Sequence, residues 1–221
     1  MTKIKKIILI HAVEIAIDPI KDAFQSLWPE AELAHIWDES LSIERAKYDT
    51  LPPVLFERVN RLVQLAMATN PDAIMFTCSA FGEAIERANE LVDIPVLKPN
   101  QAMFERALSL STSIGMVGSF APAIAGMENE FYQSAATLNP TAQVTSICLP
   151  AARDALNNND VELHNTLCLE GAQTLQEQNV IMLAHFSSSY AKHTLERSTG
   201  KVVLSSPHSA VEYLKNLLEP T

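Results

Sequence analysis

The chain has 221 residues, of which 48% are hydrophobic, and it carries a formal net charge of −10. A chain of this length can bury one large core or two small ones, and its acidic balance argues against nucleic acid or an anionic membrane as a partner. No apolar stretch is long enough to cross a bilayer, and the three cysteines show no spacing pattern, which is typical of a reducing cytoplasm. We therefore expect a cytoplasmic protein that binds neither nucleic acid nor membrane.

Short apolar runs alternate with helical patterns along the whole chain. The predicted strands are 6–10, 32–37, 73–77, 96–97, 114–117, 143–148, 180–184 and 202–204. Most of these runs are continuously apolar, which is typical of parallel strands covered on both faces. The runs 32–37 and 143–148 are more polar, so we place them at sheet edges.

Helix start signals lie between the strands. Asp18-Pro19 predicts an N-cap and a first helical residue, Pro53 begins a helix over 54–69, and Asp160 caps a helix toward Gln178. A further helix is predicted over 81–92. The stretch 38–53 is the least regular part of the chain, and it is either a lid beside the site or a surface excursion. Alternating strands and helices indicate βαβ units and parallel sheets.

The chain also repeats itself. Asp72-Ala-Ile-Met-Phe-Thr-Cys78 is echoed 107 residues later by Asn179-Val-Ile-Met-Leu-Ala-His185. A repeat of this length indicates a duplicated half-domain, since solenoid units have periods of roughly 20–50 residues. The predicted fold is α/β, with two pseudo-symmetric lobes that each contain a four-stranded parallel sheet flanked by helices. We assign residues 1–98 plus 207–221 to the first lobe and 99–206 to the second.

Ligands of parallel α/β sheets bind beyond the carboxyl ends of the strands. The residues at four such ends are His11, Thr77, Cys78, Ser79, Ala80, Gly118, Ser119, His185, Phe186, Ser187 and Ser188. If the lobes face each other, these loops meet in one cleft, which would be the active site. Cys78 and His185 would then approach a bound molecule from opposite sides.

This arrangement suits proton transfer at carbon. Inverting a carbon next to a carboxylate needs one group that removes a proton and a second that delivers one on the other face. A thiolate at Cys78 would be favoured by the N-terminus of the predicted helix, and a histidine is an acid or base near neutral pH. Backbone N–H groups of Ser79, Ala80, Ser187 and Ser188 would bind carboxylate oxygens. In the alternative interpretation, Cys78 is a small core residue and His185 is structural.

Other residues carry weaker signals. Cys148 is expected to end a strand in the core, and Cys168 lies on a helical face that indicates packing. The remaining histidines show no spacing suited to a metal, and Gly118-Ser119-Phe120 lacks the glycines of a nucleotide-binding motif. We predict neither a metal nor a cofactor.

Four strings resemble the aspartate/glutamate/hydantoin racemase superfamily. They are Phe76-Thr-Cys-Ser-Ala-Phe-Gly82, Ile114-Gly-Met-Val-Gly-Ser119, Val180-Ile-Met-Leu-Ala184 and Val203-Leu-Ser-Ser-Pro-His-Ser-Ala210. The resemblance implies two pseudo-symmetric lobes and cofactor-independent chemistry, with Cys78 in the position of the first catalytic cysteine. In the second half, His185 stands where racemases of this superfamily have their second cysteine, so the chain resembles a single-cysteine variant.

These observations predict a cofactor-independent racemase or epimerase that acts on a small carboxylate, with Cys78 as one acid/base and His185 as the second. Two alternatives stay open. One is a decarboxylase or maleate-type cis–trans isomerase that uses Cys78 alone, and the other is a non-catalytic protein that binds small carboxylates. A homodimer is the expected oligomeric state.

Overall fold

The computed structural model describes residues 4–219, in which strands and helices alternate. The strands are β1 Lys6–His11, β2 Glu32–Trp37, β3 Ala73–Phe76, β4 Val96–Leu97, β5 Ser113–Gly118, β6 Gln143–Cys148, β7 Val180–Leu183 and β8 Val202–Ser205. The α-helices are α1 Ile17–Leu27, α2 Ser40–Arg45, α3 Pro53–Met67, α4 Gly82–Asn89, α5 Gln101–Leu110, α6 Ala121–Leu138, α7 Pro150–Asn157, α8 Val161–Gln173, α9 Lys192–Thr199 and α10 Ser206–Leu218.

The strands form two parallel sheets with the same connectivity. Their orders are β2-β1-β3-β4 and β6-β5-β7-β8, and every described strand pair is parallel. The predicted fold class is therefore confirmed. The two polar strands, β2 and β6, lie at sheet edges as their composition predicts.

The internal repeat corresponds to this shared topology. β3 begins at Ala73 and β7 begins 107 residues later at Val180, and both strands are four residues long and fully buried. β1 and β5 are related by the same offset, with five buried residues out of six in each. Continuous burial explains why these strands have no alternation of apolar and polar residues.

The structure divides into two compact units. One contains the chain up to Pro99 together with the segment from Ala210, and the other contains Asn100–Ser209. The boundary between Ser209 and Ala210 falls inside α10. Among the described residues, no helix has the length and apolar character needed to span a membrane.

Each unit has its own apolar core. In the first unit, α3 and α4 pack on the sheet through residues such as Val59, Ile85 and Phe76. In the second unit, one face of the sheet is covered by α5 and α6, where the rings of Phe104 and Phe131 meet edge to face at 5.8 Å. The opposite face is covered by α8 and α9, including the buried thiol of Cys168. The predicted packing role of Cys168 is therefore confirmed.

Several helix bounds differ from the prediction. α1 begins at Ile17 after a 3₁₀ turn, with Ala16 at the N-cap, so the predicted N-cap at Asp18 and first helical residue at Pro19 are each two residues late. Asp160 does cap α8, since its carboxylate accepts the N–H of Leu163, but α8 ends at Gln173 and not near Gln178.

Two other segments need correction. The predicted helix over 81–92 is a 3₁₀ turn, Ser79–Phe81, followed by α4. Cys148 ends β6 as predicted, but it is half-buried and not in the core, because β6 is an edge strand.

Candidate active site

Cys78 lies two residues after the end of β3 and is the N-cap of the 3₁₀ turn that leads into α4. It is half-buried and packs against the apolar core of the first unit. The next two residues, Ser79 and Ala80, are also half-buried, and the carbonyl of Ala80 accepts a hydrogen bond from Arg45 Nε at 3.1 Å. This contact holds α2, and with it part of the irregular stretch 38–53, against the loop that carries Cys78. The lid interpretation of that stretch stays a prediction.

His11 and Thr77 meet at the ends of adjacent strands. His11 Nδ1 lies 2.9 Å from Thr77 Oγ1, and His11 Nε2 lies 2.9 Å from Nδ1 of His35. The two imidazole rings are 5.1 Å apart between centroids. Burial, His35 and Lys21 lower the pKa of His11 to about 4, and burial and Lys21 also lower the pKa of His35.

Both ring nitrogens of His11 are therefore engaged, and the side chain is fully buried. Its structural role in the first unit is to join β1, β2 and the end of β3. The predicted substrate contacts of His11 and Thr77 stay predictions.

His185 follows β7 as Cys78 follows β3, and it precedes the 3₁₀ helix Phe186–Ala191. Its Nδ1 accepts the backbone N–H of Ser119 at 3.1 Å. The residue is half-buried, but Nε2 is inaccessible to solvent and has no hydrogen-bond partner among the described residues. Burial and the charge of Arg153 lower the pKa of His185 to about 4. The neutral imidazole is the form that this environment favours.

Gly118 and Phe120 complete the surroundings of His185. A Cβ atom at Gly118 would lie 3.3 Å from His185 Cε1 and 2.4 Å from Ile124 Cδ1, so the glycine leaves room for the ring. The guanidinium of Arg153 lies 4.5 Å from the centroid of the Phe120 ring, a favourable cation–π contact. The predicted residues Gly118, Ser119 and His185 are thus brought together in one place.

One predicted N–H donor is not available. The N–H of Ser188 donates to the carbonyl of His185 at 3.0 Å, inside the first turn of the 3₁₀ helix. The prediction that this N–H binds carboxylate oxygens is wrong, because a helical turn leaves only its first N–H groups without an internal acceptor. Phe186 and Ser187 are the residues in those first positions, and the side chains of both are buried.

Two residues that contact the predicted site residues were not identified from the sequence. Arg153 lies in the first turn of α7, just beyond the carboxyl end of β6, so the rule about strand ends would have found it if applied to that strand. His35 was considered only as a metal ligand, whereas it is the hydrogen-bond partner of His11. Among residues 4–219, no group of three or more His, Cys, Asp or Glu side chains is placed to hold a metal ion.

No protein-family model matches the sequence, and a search of curated proteins gave no match. Solved structures do match over nearly the full chain. A glutamate racemase from Bacillus anthracis is 16% identical, with a TM-score of 0.74 over 97% of this chain and 82% of the racemase. An allantoin racemase from Pseudomonas fluorescens is 15% identical, with a TM-score of 0.70 over 96% of this chain and 90% of the racemase.

A third match is a Gly74Cys mutant of arylmalonate decarboxylase. It is 14% identical, with a TM-score of 0.68 over 97% of this chain and 94% of the decarboxylase. The chain therefore shares the fold of these racemases and of arylmalonate decarboxylase. The resemblance seen in the sequence strings is confirmed at this level. The roles of individual residues are not decided by a shared fold.

Proposed function

We propose that this protein is a cofactor-independent isomerase, a racemase or epimerase that moves a proton on a carbon α to a carboxylate. The observation that carries the proposal is the position of Cys78 at the end of β3, in a fold shared with glutamate and allantoin racemases. The proposed substrate is a small carboxylate and the proposed location is the cytoplasm.

Cys78 is the proposed acid/base on one face of the carbon. Cys78 is the N-cap of the 3₁₀ turn Ser79–Phe81. The N–H groups at the start of a helical turn lack internal acceptors, and a thiolate beside them would be favoured. The loop from Cys78 to Ala80 also offers the N–H groups of Ser79 and Ala80 to a carboxylate oxygen. In the form predicted from the sequence, His185 is the second acid/base, because it is the repeat-equivalent of Cys78.

A one-base enzyme, a decarboxylase or a cis–trans isomerase, is the second candidate. The observation that favours it is the hydrogen bond from Ser119 to Nδ1 of His185, which occupies the lone pair that a base would use. The match to arylmalonate decarboxylase also supports this candidate. In a racemase and in a decarboxylase Cys78 transfers a proton, and the two differ in what happens on the second face. In a cis–trans isomerase Cys78 would act as a nucleophile.

An exchange experiment in D₂O separates the candidates. The protein is incubated with chiral amino acids, hydantoins, 2-substituted malonates and maleate, while the α-proton is followed by NMR and the configuration by chiral chromatography. An isomerase exchanges the α-proton with solvent and inverts the carbon. A decarboxylase releases CO₂ and places deuterium on one face.

Cys78→Ala should abolish exchange in an isomerase and CO₂ release in a decarboxylase, and Cys148→Ala is the matched control because it removes a thiol whose pKa is raised by burial. Exchange that persists at the wild-type rate in Cys78→Ala would refute the role of Cys78. Absence of exchange, inversion and CO₂ release with every compound, together with protection of Cys78 by a carboxylate, would indicate a binding protein.

A further inference from the structure

Three side chains near the carboxyl ends of β1, β2 and β3 form a continuous chain of hydrogen bonds within the first unit. His35 Nδ1 lies 2.9 Å from His11 Nε2, and His11 Nδ1 lies 2.9 Å from Thr77 Oγ1. His35 is an exposed residue of the edge strand β2, whereas His11 and Thr77 are buried. The chain therefore connects a group at the surface to the residue that directly precedes Cys78.

The hydrogen atoms of this chain have two possible arrangements. In the first, the Thr77 hydroxyl donates to His11 Nδ1, and His11 Nε2–H donates to His35. In the second, both bonds are reversed, so that His35 Nδ1–H donates to His11 Nε2, and His11 Nδ1–H donates to Thr77 Oγ1. A neutral imidazole has one N–H and one lone pair, so His11 is fully bonded in either arrangement.

The neutral chain should favour the first arrangement. When Thr77 Oγ1 accepts from His11, its own hydrogen must go to another acceptor, which is the carbonyl of Ile10 at 3.5 Å. Hydrogen bonds between a hydroxyl and an oxygen are usually about 2.7–2.8 Å long. The hydroxyl is therefore bonded better when it donates to His11 at 2.9 Å.

Protonation of His35 leaves only the second arrangement. A histidinium ring has an N–H on both nitrogens and no lone pair, so His35 Nδ1 can only donate. His11 Nε2 must then accept, which puts the proton of His11 on Nδ1 and makes Thr77 Oγ1 an acceptor. His11 itself stays neutral, because burial and the charges of His35 and Lys21 lower its pKa to about 4.

We infer that His35 is a positioning residue for the end of β3. By taking up a proton at the surface, it reverses the chain and turns the Thr77 hydroxyl from His11 to the Ile10 carbonyl. The backbone N–H of Thr77 donates to the same carbonyl at 3.1 Å, so the reversal adds a second bond between β1 and the end of β3. Cys78 is the next residue, so its loop is held more firmly when His35 is charged. A role of this change in catalysis rests on the proposed function, whereas the reversal itself does not.

Two groups on neighbouring elements act on His35. The ring of His11 on β1 stacks on it, with 5.1 Å between centroids. Burial and the charge of Lys21 on α1 lower the pKa of His35, and Lys21 is itself paired with the exposed carboxylate of Asp18 at 3.4 Å. His35 is therefore neutral above its ordinary pKa of about 6.5, and the reversal takes place as pH falls below that value.

The reversal is measured on full-length protein that carries ¹⁵N-histidine. Long-range ¹H–¹⁵N correlation spectra report the tautomer of each ring, and the variants His11→Asn and His35→Asn assign the two rings. His11 should carry its proton on Nε2 where His35 is neutral, and on Nδ1 where His35 is charged. A His11 tautomer that stays the same throughout the titration of His35 overturns the inference.

A variant of His35 separates the hydrogen bond from the proton. His35→Asn places an amide near the position of Nδ1 but does not titrate, so His11 should keep its proton on Nε2 between about pH 5 and about pH 8. His193→Asn, at an exposed residue of α9, is the control and should leave the tautomer change intact. A tautomer change that persists in His35→Asn would show that another group drives it.

Hydrogen exchange of the Thr77 amide measures the effect on the end of β3. Below the measured pKa of His35, this amide should be about two- to tenfold more protected in the wild type than in His35→Asn, which is the worth of one neutral hydrogen bond. Above that pKa the two proteins should be equal. Because both proteins retain His11, its effect on global stability cancels in the comparison.

Equal protection of the Thr77 amide at both pH values contradicts the positioning role of His35. These measurements need no substrate. If no compound shows proton exchange, inversion or CO₂ release with the wild-type protein, the proposed function fails, while the spectra still decide the role of His35.

Discussion

Cys78 and His185 occupy equivalent positions of the repeat, but their surroundings differ. Each follows a fully buried strand and precedes a 3₁₀ turn. His185 Nδ1 accepts the N–H of Ser119, and the charge of Arg153 lowers the pKa of the ring. Cys78 lies two residues before Ala80, whose carbonyl accepts a hydrogen bond from Arg45. A duplicated fold therefore places two side chains alike along the chain while their neighbours differ.

Cysteine reactivity tests the position of Cys78. We expect iodoacetamide to alkylate Cys78 faster than Cys148 and Cys168, because the thiolate is the reacting form. Burial raises the pKa of Cys148, and it raises the pKa of Cys168 to about 12. The rates are measured by mass spectrometry of peptides from the native protein.

Addition of D-glutamate or phenylmalonate should slow the labelling of Cys78 and leave Cys148 unchanged. Labelling of Cys78 that is no faster than that of Cys148 would favour the interpretation of Cys78 as a core residue.

At the scale of elements, the start of a helix can be predicted from its capping and first-turn residues at some positions but not at others. The carboxylate of Asp160 accepts Leu163 N–H at 2.9 Å, as expected of an N-cap. α3 begins at Pro53, which fits the preference of proline for the first turn. At α1, by contrast, a preceding 3₁₀ turn moves the start upstream of Asp18.

Loss of the cap on α8 should destabilise the second unit. We expect Asp160→Ala to lower the free energy of unfolding by about 1 kcal/mol, because the N–H of Leu163 loses its acceptor. Urea denaturation followed by circular dichroism measures this change.

Asp154→Ala is the control, since Asp154 is an exposed helical residue whose carboxylate makes no hydrogen bond among the described residues. Equal destabilisation by both substitutions would show that the cap of α8 contributes nothing specific.

At the scale of the whole molecule, buried neutral histidines should make stability depend on pH. The pKa of His11 and of His185 is lowered to about 4 by burial first, and that of His164 is lowered by burial as well. In the unfolded chain these groups take up protons near their ordinary pKa of about 6.5. The unfolded state therefore binds more protons as pH falls through 6.5 toward 4, so stability is full above 6.5 and is lost below it.

His11 alone should contribute a loss of about 2 kcal/mol between about pH 7 and about pH 5. His11→Asn should reduce the slope of stability against pH over this range, whatever its effect on absolute stability. The slope is measured by urea denaturation at a series of pH values.

His193→Asn is the control, because His193 is an exposed residue of α9. A slope that is the same in wild type and His11→Asn would contradict the account of His11 as a buried neutral ring.

The sequence by itself determined the sheets of this protein. Strands such as β3 and β7 are continuous apolar runs, and their repetition at an offset of 107 residues predicts the shared topology. Edge strands were predictable because their outer side is less covered and tolerates polar residues. The positions of Cys78 and His185 followed from the same pattern, since residues after parallel strands lie at one edge of the sheet.

Only the tertiary structure decided what surrounds these residues. His35 reaches His11 because the register pairs it with Leu9, two positions before His11, which puts both rings on one face. Arg153 acts on His185 although 32 positions separate them in the chain, and Ser119 donates to its ring across 66 positions. Hydrogen-bond direction and burial depend on such long-range neighbours, so the surroundings of His185 could be read only from the folded chain.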